Sequence, residues 1–152
     1  KRDLYEGGHR VPFLIRWPDA VKAGTTCDTP VCQTDLLATF AELMDAELPD
    51  AAGEDSVSLL PALHGKPLKG RPLLHHSAQG YFAIRDGQWK LMLPGRNNQP
   101  VELYDLSADA GETNNLAKTH PDEVRRLTEL ATETVRKHSS GWWSQLTWIP
   151  KK

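Results

Sequence analysis

The sequence predicts an α/β chain in two parts: a strand and helix piece over residues 1–68, then a small antiparallel sheet with one long helix over residues 69–152. Apolar residues follow continuous or helical patterns in the first part, and from Arg71 onward they alternate with the period of two that is typical of strands. The Asp86-Gly87 dipeptide between two alternating segments predicts a tight hairpin. Residues 121–138 have the apolar spacing of an amphipathic helix with a proline in its first turn.

One mostly apolar run and one helical pattern carry the prediction for the first part. The run Val11–Trp17 predicts a strand covered on both faces, as in parallel sheets. We expect Thr34 to cap a helix from Asp35 to about Ala46, and a short helix over residues 57–64. Because this part has too few strands for a sheet of its own, we expect a preceding segment of the protein to complete it. The apolar face of the longer helix comprises Leu36, Leu37, Phe40, Leu43 and Met44.

The second part contains the hairpin, its neighbouring strands and the long helix. A tight turn at Asp86-Gly87 would pair Ile84 with Trp89 and Phe82 with Leu91. The candidate strands are Pro72–Ala78, Tyr81–Arg85, Gln88–Leu93 and Val101–Leu106. The apolar stripe of the helix comprises Val124, Leu127, Ala131 and Val135. The tail carries Trp142, Trp143 and Trp148, and we expect so aromatic a segment to lie across the body or against a neighbouring domain.

Composition excludes several classes of protein. There are 18 basic and 20 acidic residues, and a net charge of −2 does not suit a strongly basic nucleic-acid-binding protein. Apolar runs stay well short of the roughly 20 residues that a membrane helix needs, so no span is expected. Cys27 and Cys32 leave both a disulfide and two free thiols open, and no His or Cys pair nearby suggests zinc.

A spaced motif at the start of the chain carries the chemical information. Lys1, Tyr5-Glu6-Gly7-Gly8 and Arg10-Val11-Pro12 together closely resemble the second signature of the sulfatase family. Other segments match the family in the same order, and the resemblance extends to about residue 138. They are Cys27 to Leu36, Ser58-Leu59-Leu60-Pro61, Ala83 to Leu91, and Glu102 to Leu106 with Glu112 and Asn115-Leu116-Ala117.

The resemblance implies an arylsulfatase-like fold: an alkaline-phosphatase-like α/β domain followed by a small domain with a four-stranded antiparallel sheet and one packed helix. Residues 1–68 would then be the C-terminal end of the catalytic domain, and residues 69–152 the small subdomain with its Trp-rich tail. The implied enzyme hydrolyses sulfate esters with a formylglycine, made from Cys or Ser in a Cys/Ser-x-Pro-x-Arg motif, beside a calcium ion. The segment Cys27–Val31 has its proline one place too late and Val31 where the arginine belongs. We therefore expect the nucleophile and the calcium ligands upstream.

The resemblance also assigns roles to individual residues. Lys1 falls on the catalytic lysine that binds a sulfate oxygen. Glu6, Gly7, Gly8 and Arg10 would support that loop, the glycines by permitting positive φ and the arginine by clamping a carboxylate or carbonyl.

His75 and His76 are substrate-binding candidates, because they lie on a strand leading to a loop that borders the cleft in this family. Strand alternation lets only one of them face that cleft. The alternative is one packed and one exposed histidine without a substrate role.

The expected substrate is a sulfated small molecule or carbohydrate, and the expected partner is the upstream part of the same protein. The resemblance places the parent enzyme in the periplasm or outside the cell, and the 152-residue chain alone is expected to be inactive. Two alternatives stay open. One is a non-catalytic interaction or carbohydrate-binding domain that uses the Trp-rich tail, and the other is a phosphodiester or phosphonate hydrolase of the same superfamily.

Overall fold

The computed structural model describes residues 3–49, 52–94 and 100–138. The chain divides into two compact units. The sheet unit combines Lys1–Val11 with Pro72–Lys152, and the helical unit is Pro12–Arg71. The Trp-rich tail lies outside the described residues, so its expected packing stays a prediction.

The described residues of the sheet unit form four strands that are antiparallel throughout, in the order β1-β2-β3-β4. The strands are β1 (Leu73–His76), β2 (Phe82–Asp86), β3 (Trp89–Met92) and β4 (Glu102–Asp105). This unit also contains a single helical turn, α1 (Glu6–His9), and the long helix α4 (Pro121–His138). The predicted four-stranded antiparallel sheet with one long helix is confirmed.

The hairpin forms where it is predicted, but its register differs by two residues. Asp86 pairs with Trp89, so the turn consists of Gly87 and Gln88, and Ile84 lies opposite Leu91 rather than Trp89. Gly87 has a φ of 58°, and a glycine with positive φ at the first turn position matches the twist of the strands. Because side chains alternate with a period of two, the shift leaves each residue on its expected face.

Helix α4 covers one face of the sheet and forms the main core with it. Leu127 and Ala131 are fully buried and Val135 nearly so, which confirms the predicted stripe. They pack against the fully buried Ile84 and Leu91 of the hairpin. Burial of each large side chain contributes about 1.5–3 kcal/mol. The opposite face has its own apolar cluster, made of Leu4, Ala83, Met92 and Tyr104.

The helical unit contains α2 (Asp35–Leu43) and α3 (Leu60–Leu63), both shorter than predicted. Asp45 adopts a left-handed φ of 52°, and this conformation terminates α2 before the expected Ala46. Thr34 does not cap the helix, because its side chain makes no capping hydrogen bond. The buried carboxylate of Asp35 organises this end instead: it accepts the backbone N–H groups of Cys32 and Val57, and it pairs with the Arg71 guanidinium.

The predicted strand over Val11–Trp17 is wrong. The segment has no regular secondary structure, and Leu14 is 90% exposed. A parallel strand needs neighbours to accept its backbone hydrogen bonds, and no described residue of the helical unit is in a strand. Most of the apolar face of α2 is exposed as well, namely Leu37, Phe40, Leu43 and Met44.

Two smaller expectations can be compared with the described residues. Cys27 and Cys32 are free thiols, and burial raises the pKa of the Cys32 thiol. Among the described helices, none combines the length and apolarity that crossing a bilayer requires.

Leu127→Ala should lower the free energy of unfolding by about 2–5 kcal/mol, because it leaves a cavity between α4 and the sheet. Urea unfolding would measure this change. Glu133→Ala on the exposed face of the same helix is the control, with an expected change within about 0.5 kcal/mol. Equal losses in both variants would contradict the packing described for α4.

Candidate functional site

The part of the sulfatase motif within residues 4–10 lies on the sheet face opposite α4. We call Leu4–Arg10 the signature segment. Leu4 is buried in the apolar cluster of this face. The turn α1 is closed by hydrogen bonds from Gly8 N–H to the Tyr5 carbonyl (2.7 Å) and from Arg10 N–H to the Glu6 carbonyl (2.9 Å). The segment therefore has a defined backbone conformation against the sheet.

Lys90 is the centre of the contacts below this segment. It lies on β3, and its side chain is completely buried. Its Nζ is 2.9 Å from Glu6 Oε1, 2.7 Å from Glu112 Oε1 and 3.1 Å from His9 Nε2. Burial by itself raises the pKa of Glu6, but the hydrogen bond and charge of Lys90, with the charge of Arg85, outweigh it and hold that pKa below its usual value. Glu6 is therefore ionised at neutral pH.

Glu112 links the loop before α4 to the signature segment. Its Oε2 accepts the Glu6 backbone N–H at 2.5 Å, and the residue is almost fully buried. Its φ is 54°, a conformation that a non-glycine residue adopts only at a cost. The surrounding contacts must offset that cost.

The two glycines of the motif do not act as expected. Neither Gly7 nor Gly8 has positive φ, so the expected use of the left-handed region is wrong. Gly8 is required for a different reason: a Cβ there would lie 2.5 Å from the Asp3 carbonyl oxygen. Gly7 has open space around it.

The two histidine candidates on β1 point to opposite faces. His75 stacks on His9 with ring centroids 4.1 Å apart, whereas His76 is exposed and stacks on Phe82. Burial, followed by the charges of His9 and Lys90, lowers the pKa of His75 to about 4. Its Nε2 atom is buried without a hydrogen-bond partner.

The remaining predicted residues are less enclosed or are not described. Arg10 is 69% exposed in its side chain, and its Nη1 is 3.9 Å from Glu6 Oε2, a longer contact than the predicted clamp. Arg85, which the sequence did not single out for a site, approaches the same oxygen at 3.5 Å. Lys1 lies outside the described residues, so its role stays a prediction.

A cleft of about 430 Å³ opens beside the signature segment. Its polar lining includes Asp3, Tyr5, Gln79, Tyr81 and Glu102. Glu102 Oε2 accepts hydrogen bonds from the hydroxyls of Tyr5 and Tyr104, each at 2.7 Å. The hydrogen bond to Glu102 is the main reason that the pKa of Tyr5 is raised. Aromatic rings, carboxylates and an amide in one cleft suit a ligand with hydroxyl groups.

The described residues do not fit a calcium site. No group of three or more His, Cys, Asp or Glu side chains in this part of the chain has the geometry to hold a metal ion. The carboxylates of Glu6 and Glu112 are directed at Lys90 instead.

Sequence reasoning missed the central role of Lys90 and Glu112, which it noted only as parts of matching segments. One signal was present. In the alternating pattern of β3, Lys90 shares a face with Met92, and both are buried. A lysine at such a position needs a carboxylate partner.

The free energy of unfolding should fall as the pH decreases from 6.5 toward about 4, in part because of His75. In this range the unfolded chain binds a proton that the folded chain does not, which contributes a slope of up to about 1.4 kcal/mol per pH unit. His9, whose pKa burial also lowers, acts in the same direction. His75→Gln should flatten the slope, as measured by urea unfolding across this range. The exposed His64→Gln is the control, and an unchanged slope in His75→Gln would contradict the burial of His75.

Comparison with known proteins adds to this geometry. The family model for N-sulphoglucosamine sulphohydrolase, C-terminal, matches residues 1–138. An N-acetylgalactosamine-6-O-sulfatase of Bacteroides thetaiotaomicron is 38% identical over 144 residues, which cover 86% of this chain and 28% of the relative.

Two solved structures share the fold. One, from work on the metabolism of multiple glycosaminoglycans by Bacteroides thetaiotaomicron, has a TM-score of 0.77 and 37% identity, and the match covers 87% of this chain and 30% of that one. The other, Ps i-CgsB in complex with k-i-k-neocarrahexaose, has a TM-score of 0.66 and 26% identity over 90% of this chain and 30% of that one. The chain thus spans less than a third of these relatives and matches their C-terminal part. It belongs to the sulfatase family of the alkaline phosphatase superfamily, as a C-terminal sulfatase region.

Proposed function

We propose that this chain is the C-terminal region of an arylsulfatase-like enzyme that hydrolyses sulfate esters, and that Lys1 contacts the sulfate. The observation that carries the proposal is the placement of the signature segment. Its Glu6 is buried on Lys90, so the signature segment is held at a defined position on the sheet. A lysine preceding such an anchored segment is suited to a substrate contact that requires precision.

The chemistry expected of Lys1 follows from the charge that develops during the reaction. Cleavage of the S–O bond places negative charge on the bridging and peripheral oxygens. An ammonium group at about 4 Å contributes about 4 kcal/mol at an effective dielectric of 20. Because that charge grows toward the transition state, the interaction accelerates the reaction rather than only binding substrate.

The proposal assigns the other catalytic groups to the upstream part of the protein. These are the formylglycine that acts as nucleophile and the calcium ion that would supply positive charge beside it. The described residues of this chain bind neither group in the scheme. Their part is to hold the signature segment and to border the substrate cleft.

The substrate class we propose is a sulfated carbohydrate or sulfated small molecule. The 38%-identical relative is named for a sulfated amino sugar, and the cleft beside the signature segment has the polar and aromatic lining that sugars favour. In this scheme one face of β1 is directed toward substrate. The signature segment lies on the face that carries His75, which packs on His9, whereas His76 is exposed on the opposite face and stacks there on Phe82 of the main core. A periplasmic or extracellular location is part of the same proposal.

Lys1→Ala in the complete enzyme should lower kcat/KM on a sulfate ester at least about thirtyfold. Half of the estimate is about 2 kcal/mol, and each 1.36 kcal/mol corresponds to a factor of ten in rate. Lys1→Arg should restore activity only in part, since a planar guanidinium does not replace a point charge. Lys118→Ala, at an exposed position, is the control. Equal kcat/KM for Lys1→Ala and the control, with equal melting temperatures, would contradict the assignment of Lys1.

The purified 152-residue chain should show no sulfatase activity, because the proposal locates the nucleophile and the metal upstream. The measurement is turnover of an aryl sulfate by the chain and by the complete enzyme, with a phosphonate monoester as a second substrate. Turnover of the sulfate by the short chain above a tag-only control would refute this division of roles. Preference of the complete enzyme for the phosphonate would refute the sulfatase proposal.

A further inference from the structure

We infer that Lys90 and Glu112 are positioning residues for sulfate ester hydrolysis: they hold the signature segment in the place from which Lys1 reaches the substrate. This inference rests on the function proposed above and extends it to two residues outside the signature. Neither residue contacts substrate in this scheme, and both act through Glu6.

The burial of Lys90 is the first argument. Removing an ammonium group from water is unfavourable, and the same holds for its carboxylate partners. A methionine would fill the same space on the sheet without that cost. A completely buried lysine between two carboxylates is therefore poorly explained by stability alone. Its directional contacts, unlike apolar packing, specify one position for Glu6.

The second argument is that these contacts hold the backbone as well as a side chain. Glu112 pairs with Lys90 through Oε1 and accepts the Glu6 N–H through Oε2. The Glu6 carbonyl accepts the Arg10 N–H, so the turn α1 moves with Glu6.

A further contact reaches the start of the segment. His9 Nε2 lies 3.1 Å from Lys90 Nζ and 2.9 Å from the Leu4 carbonyl oxygen. One ring nitrogen cannot accept from Lys90 and donate to this carbonyl at once, so Nε2 holds the Leu4 carbonyl when it carries the proton, and His9 then only packs beside the ammonium.

The third argument is the charge balance around the cluster. Glu6 pairs with both Lys90 and Arg85, and the exposed Arg10 lies farther from it. The second carboxylate, that of Glu112, pairs with Lys90. Burial, followed by the charge of Lys90, lowers the pKa of His9. Loss of one carboxylate leaves Lys90 paired with Glu6 but frees the backbone N–H that Glu112 holds. Such a change weakens the position of the segment, and it leaves Lys90 and the partly exposed Arg85 to share the carboxylate of Glu6.

The decisive variant is Glu112→Gly in the complete enzyme. Glycine accepts the left-handed backbone at this position, so the substitution removes the carboxylate without introducing strain. Glu112→Gln is the conservative variant, because its amide oxygen still accepts the Glu6 N–H. Leu127→Ala is the matched control, since it destabilises the same subdomain from the opposite face of the sheet. Lys90→Met/Glu112→Gln is a second test of the pair if Glu112→Gly does not fold.

Two measurements are made at a temperature at which every variant is folded. Hydrogen exchange by mass spectrometry should show at least tenfold faster exchange over residues 4–10 in Glu112→Gly. On a sulfate ester, kcat should fall at least tenfold while KM changes less than threefold. A misplaced Lys1 ammonium stabilises the transition state less, whereas substrate binding changes little. Glu112→Gln should recover part of both losses. Leu127→Ala should change exchange over residues 4–10 and kcat less than twofold.

Each outcome decides the inference. Faster exchange with lower kcat in Glu112→Gly, but not in the control, supports it. Unchanged exchange over residues 4–10 overturns it, and so does faster exchange with normal kcat. Equal losses in Leu127→Ala also overturn it, because the effect would then be one of general stability. A wild-type enzyme without sulfatase activity would refute the proposed function itself, and the exchange data would still report whether Glu112 holds the segment.

Discussion

The ion cluster around Lys90 is the constraint on which the candidate site depends. The ammonium is completely buried, and two carboxylates from distant parts of the chain, Glu6 and Glu112, lie within 3 Å of it. Buried charged groups are stable only when each one pairs with a group of opposite charge. The sheet, the loop before α4 and the signature segment must therefore come together in one arrangement. An apolar cluster of equal volume would tolerate several.

The two faces of the sheet differ in the kind of interaction that holds them. The face under α4 is filled by aliphatic side chains, whose attraction is non-directional and scales with buried area. The opposite face combines a small apolar cluster with the ion cluster, and it carries the segment that matches the sulfatase signature. Under the proposed function, a substitution in the first face acts on folding, whereas one in the ion cluster acts on the geometry of a few atoms. This separation allows core variants to serve as controls for site variants.

The helical unit differs from the sheet unit in how much apolar surface it exposes. Its organising contact is also a buried carboxylate, Asp35, which ties α2 to Cys32, Val57 and Arg71. Yet the apolar face of α2 and the segment Val11–Ile15 are exposed to an extent that is uncommon for a soluble surface. The match to less than a third of each relative agrees with this exposure, since sheet neighbours and apolar cover would come from the rest of such a protein.

The sequence by itself determined the sheet, the long helix and the family. Alternating apolar residues, a turn glycine and a proline at a helix start are local signals, and local signals depend on backbone sterics and solvent exposure alone. It did not determine the hairpin register, because a shift of two residues leaves every side chain on the same face. It predicted a strand at Val11–Trp17, but a strand exists only beside another strand. Only the tertiary structure brings Glu6, Lys90 and Glu112 together. Lys90 is 84 positions from Glu6 along the chain and Glu112 is 106 positions from it, so they approach each other only when the whole sheet unit is folded.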